Sequence, residues 1–109
     1  MKVSYADENI EALCKHVKLA TKKLGAESAR KLQRRINELF AASVVLELAA
    51  GRPHPLKQER LGQYAVDLNG GCRLVFKPTQ QPPPAKADGS IDWGQVRDIT
   101  IIWTGDYHD

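Results

Sequence analysis

The chain has 109 residues, 42% of them hydrophobic and 27% charged, with a formal net charge of +3. That is enough to bury a single core and no more, so one domain spanning residues 1–109 is expected. No apolar run is long enough to cross a bilayer. The opening "MKVSYADENIEAL" lacks the apolar stretch and small-residue cleavage site of a secretion signal, so a cytoplasmic protein with no membrane partner is expected.

Taken in chain order, Lys2 to Tyr5 reads as a short strand with Val3 and Tyr5 on one side. Ile10, Leu13, Cys14, Val17, Ala20 and Leu24 then recur at helical spacing. Asp7 and Glu8 suit the start of that helix and Gly25 its end. A second helix begins near Ala26, with Leu32, Ile36, Leu39 and Phe40 as its inward stripe. The short Gly25 turn implies an antiparallel helical hairpin. Ser43 is placed to cap a further short helix, "VVLELAA", that ends at Gly51.

"GRPHPL" cannot be helical, because Pro53 and Pro55 lack donors and fix φ. Beyond it the period changes to two. Tyr64, Val66 and Leu68 alternate with Gln63, Ala65 and Asp67. Asn69-Gly70-Gly71 is a hairpin turn, and Cys72 to Phe76 is the returning strand, with Arg73 and Val75 opposite Cys72, Leu74 and Phe76. Residues 78–94, with three consecutive prolines from Pro82 to Pro84, form an extended loop whose far end Ile91 and Trp93 pin. A last strand from about Val96 to Trp103 is nearly all apolar, as expected of a central strand covered on both faces. The class is therefore α+β, in the order β-α-α-β-β-β: a small, twisted, mostly antiparallel sheet with a helical hairpin on one face. The other face is left for function.

Two features carry charge or chemistry. Residues 15 to 35 hold Lys15, Lys18, Lys22, Lys23, Arg30, Lys31, Arg34 and Arg35 against the single acid Glu27, either a solvated helical face or a track for phosphates. The second feature is a set of three groups able to meet on the open face: His54, Lys57 and Arg60; Arg73; and the closing Asp106-Tyr107-His108. Imidazoles move protons near neutral pH, and a guanidinium holds charge building on a phosphate. Together they suit RNA cleavage by the RNA's own 2′-hydroxyl, one reading among several that spacing alone leaves open. No Cys or His spacing forms a metal site, so no cofactor is expected, and Cys14 and Cys72 read as reduced structural thiols.

"HPLKQERLGQYAVDLNGGCRLVF" and "ITIIWTGDYHD" resemble HigB-type toxins of the RelE/ParE superfamily. The matching elements are His54-Pro55-Leu56-Lys57, Gly62, Tyr64, Arg73 and Asp106-Tyr107-His108, which lie within residues 54–76 and 99–108, about a third of the chain. The resemblance implies the toxin of a bacterial toxin–antitoxin pair, an endoribonuclease that cuts mRNA in the ribosomal A site without a metal. Its catalytic positions would be His54, Asp106, Tyr107 and His108, with Arg73 supporting the phosphate. Lys57, Arg60, Lys22, Lys23 and Arg34 would then bind RNA. The implied partners are the ribosome and mRNA, and a HigA-like helix-turn-helix antitoxin through which the pair reaches promoter DNA. A ParE-like toxin that binds DNA gyrase, without nuclease chemistry, is the alternative. The long 78–94 loop departs from the family's tight connection, and Asp109 extends the usual ending.

Overall fold

A computed structural model describes residues 1–106 of the chain. Among them are five strands and three α-helices: β1 Lys2–Tyr5, α1 Glu8–Lys15, α2 Val17–Leu24, α3 Ala26–Ala41, β2 His54–Pro55, β3 Tyr64–Asp67, β4 Cys72–Pro78 and β5 Asp98–Asp106. The strands form one sheet in the order β1-β5-β4-β3-β2. Only β1 and β5 run parallel; the remaining pairs are antiparallel. This is the expected α+β architecture, with a two-residue edge strand added at His54–Pro55.

The helices differ from expectation in three respects. The expected first helix is two helices, broken at His16, whose backbone is extended (φ −120°, ψ 106°). Asp7 caps α1 by accepting the Ile10 N–H at 2.9 Å. Gly25, at φ 87°, separates α2 from α3 as anticipated. The break turns Val17 out to solvent, and Phe40 at the far end of α3 is likewise exposed, so neither belongs to the buried stripe. The helix expected over "VVLELAA" is a single 3-10 turn, Val45–Glu47, with Val45 buried.

The main core lies between the helices and one face of the sheet. Leu32, Ile36 and Leu39 of α3 meet Tyr64, Val66, Leu74, Phe76, Ile99 and Ile101. Ile91 and Trp93 fix the far end of the long loop there, with the Trp93 ring centroid 4.7 Å from that of Tyr64. On the other face Leu56, Ala65 and Val75 form a small cluster with Ile102 and Trp103.

β5 is an interior strand, but β4 is the middle one. Its near-continuous apolar sequence has a local cause. Val75 pairs with Trp103 and Phe76 with Ile101, so Ile102 is an extra residue in a β-bulge. The bulge lets Ile99 and Ile101 serve the main core while Ile102 and Trp103 serve the opposite face. No helix among the described residues is long and apolar enough to cross a membrane.

Candidate functional site

Strand pairing determines what the open face carries. His54 pairs with Ala65, Ala65 with Val75, and Val75 with Trp103; Asp67 pairs with Arg73, and Arg73 with Gly105. Directly paired residues project to the same side. His54, Asp67 and Arg73 therefore share the face turned away from the helices, beside the small apolar cluster.

Arg52, His54, Lys57, Gln58 and Arg73 line one cleft of about 430 Å³. Three cations and one imidazole around a concave space make a site for an anion, and a phosphodiester fits that charge. Among the described residues, the Asp67 carboxylate bonds to two of these cations. Asp67 accepts from Arg52 Nε through Oδ2 at 3.0 Å and from Arg73 Nε through Oδ1 at 3.1 Å. Arg73 is mostly covered, with its side chain 20% exposed, whereas Arg52 stands at 65%.

The imidazole is oriented by the backbone. His54 Nδ1 lies 2.7 Å from the Arg52 carbonyl oxygen. A carbonyl only accepts, so Nδ1 carries a proton and the neutral ring keeps its lone pair on Nε2. The carbonyl reaches this position because Arg52 adopts a left-handed backbone, φ 49°, next to Gly51 at φ 80°. Gly51 has no alternative, since a Cβ there would meet Arg35 Nε at 2.5 Å. The mostly buried Arg35 of α3 donates through that Nε to the Asp67 carbonyl at 3.1 Å, and the Asp67 N–H donates to the Gly51 carbonyl at 2.6 Å. The helical layer, β3 and the loop before β2 are thus tied at one point directly behind the cleft.

The remaining expected site residues are placed as follows. Arg60 lies over the Trp103 ring, 4.7 Å from its centroid, and donates to Gln63 at 3.1 Å. Trp103 is half-buried on the open face rather than part of the main core. Asp106 pairs with Cys72, so strand alternation directs it to the side opposite Arg73, where its carboxylate covers Gly71. It is not among the residues lining the cleft. Tyr107 and His108 lie outside the described residues. Lys22 and Lys23 occupy the last turn of α2, Lys23 bordering a shallow groove along Ile102 to Gly105, and Arg34 is exposed on α3. The structure thus brings together His54, Lys57 and Arg73, and it sets the helical cations apart from them.

Arg52 and Asp67 are the site residues that the sequence reading missed. A signal for Asp67 was present: it alternates with Val66 and Leu68, and the Asn69-Gly70 turn puts it opposite Arg73. Arg52 gave none, because nothing local reveals that its carbonyl turns back to His54.

No protein-family profile matches the sequence, and no curated protein does. The fold is nevertheless shared with solved toxins. A YoeB/ParE toxin from Agrobacterium tumefaciens superposes with a TM-score of 0.59 at 13% identity, covering 99% of this chain and 100% of that one. A YoeB–YefM complex from Staphylococcus aureus gives 0.57 at 16% identity, with coverage of 100% and 98%. A YoeB dimer from the same organism gives 0.56 at 16%, with the same coverage. At these identities the likeness defines the fold, and the HigB subtype is not distinguished by it.

Proposed function

We propose that the chain is the toxin of a type II toxin–antitoxin pair and acts as a metal-independent, ribosome-dependent mRNA endonuclease of HigB type. The observation that carries this reading is the cleft in which a tautomer-fixed imidazole and an anchored guanidinium sit together, on the open face of a fold shared with YoeB toxins. His54 Nε2 takes the proton from a ribose 2′-hydroxyl, whose oxygen attacks the adjacent phosphorus. Arg73 holds the charge that develops on the phosphorane oxygens. The P–O5′ bond breaks, and the leaving 5′-oxygen receives a proton from His108, with Tyr107 next to it in sequence; Asp106, directed to the side opposite Arg73, takes no part in this step. The products are a 2′,3′-cyclic phosphate and a free 5′-hydroxyl. Lys57 and Arg60 follow the RNA backbone on this face, while Lys22, Lys23 and Arg34 face ribosomal RNA. The partner is a HigA-like antitoxin, which carries the pair to promoter DNA; a two-protein YoeB–YefM assembly on the same fold supports a partner of this kind.

The test is brief induction in bacteria, followed by mapping of mRNA 5′ ends and analysis of the 3′ ends. New ends within translated frames, dependent on ribosome occupancy and carrying 2′,3′-cyclic phosphate, are expected. Arrested growth with intact mRNA and stalled DNA gyrase would replace this reading with the ParE-like one.

A further inference from the structure

We infer that Asp67 is a positioning residue for the cleavage reaction: one carboxylate that sets the Arg52 and Arg73 guanidiniums beside His54. The inference rests on the nuclease reading above. The geometry itself does not.

Asp67 presents its two oxygens separately, Oδ2 to Arg52 Nε at 3.0 Å and Oδ1 to Arg73 Nε at 3.1 Å. It engages the same edge, Nε, of both planar groups, so one carboxylate holds a contact to each, and Arg73 donates in addition to the Gly71 carbonyl at 3.5 Å. Both arginines line the cleft that holds His54. The Arg52 carbonyl also accepts from His54 Nδ1, so the residue whose head Asp67 anchors is the one whose backbone orients the imidazole. A negative charge bonded to two arginines of a cleft suited to phosphate weakens anion attraction. Its presence is explained if orientation contributes more to the rate than an added net positive charge would. The main-chain bonds of Asp67 to Gly51 and Arg35 do not involve the carboxylate, so they survive a change of side chain.

The full chain and its D67N variant are compared on ribosomes programmed with mRNA, under single-turnover conditions. D67N is expected to cleave about tenfold to a hundredfold more slowly, the scale of a misplaced reacting group. It should bind RNA as tightly as the wild type or more so, because two arginines of the cleft have lost a neutralising charge. D67E should recover part of the rate. In an R73A background, D67N should slow the reaction by less than it does alone, since only the contact to Arg52 remains to be lost. The Arg Nε–H resonances are followed alongside: those of Arg52 and Arg73 should exchange slowly with water in the wild type and quickly in D67N. Unchanged exchange in D67N overturns the inference, as does a parallel loss of rate, RNA affinity and melting temperature, which would mark a purely structural role. A wild-type protein that cuts nothing, yet protects both Nε–H groups, would overturn the nuclease reading and the rate effect with it, leaving the anchoring established.

Discussion

The two faces of the sheet are built on different physics, although the same strands make both. Toward the helices, β3 presents Tyr64 and Val66 to a core that includes Leu32, Leu74, Phe76, Ile99 and Ile101, and its stability comes from apolar burial. Toward the open side the same strand presents Ala65 and Asp67. There a small cluster around Val75 adjoins charged groups held by directional bonds. Stability and chemistry are therefore separable, so a substitution on one face should leave the other's property largely intact.

The strongest way to break that comparison is Phe76→Ala. Phe76 is fully buried beneath the helices, and its removal should cost about 3–5 kcal/mol in urea unfolding. If any folded protein remains, its rate per folded molecule should be unchanged. The converse is His54→Ala, which should lower cleavage about 10²–10⁴-fold. The lost hydrogen bond should change unfolding free energy by only about 1 kcal/mol.

Gly105→Ala probes the junction of the faces. A methyl group there would meet the Trp103 indole at 2.8 Å on a backbone with φ 149°. A loss of about 1–3 kcal/mol is expected, with a shift in tryptophan fluorescence.

The covered face also has a pH signature. Burial pushes the Cys14 thiol from its ordinary 9.0 up to about 12. The unfolded chain ionises first, so this contribution is complete below pH 9 and is lost as pH rises toward 12. Burial likewise raises Tyr64, with the same sign. The urea midpoint should fall between pH 8.5 and 10, and Cys14 should resist alkylation where half-buried Cys72 reacts. The smallest effect belongs to Leu61→Ser. Leu61 is 79% exposed, and unfolding should change by no more than about 0.5 kcal/mol.

The covered face was the more legible in sequence, because period-two and period-3.6 patterns report burial directly. Tyr64, Val66, Leu74 and Phe76 were assigned correctly, and so were the Asn69-Gly70 turn and the pinning of the loop by Ile91 and Trp93. The break at His16 escaped because apolar spacing continues across it without a proline or glycine to mark it. The bulge at Ile102 escaped because one inserted residue mimics a continuous apolar run. On the open face, residue types located His54, Lys57 and Arg73, but Arg52 contributes through a backbone oxygen, which side-chain identity does not encode. Asp67 needed the register of two strands to be read together.

The short edge strand β2 has a consequence for how copies of the protein behave together. Leu56 donates its N–H inward to Gln63 at 2.9 Å, so by alternation the nitrogens facing away from the sheet are those of Pro53 and Pro55. Neither has a hydrogen to offer. This rim offers acceptors but no donors to an incoming strand, which weakens edge-to-edge stacking into larger sheets at that margin.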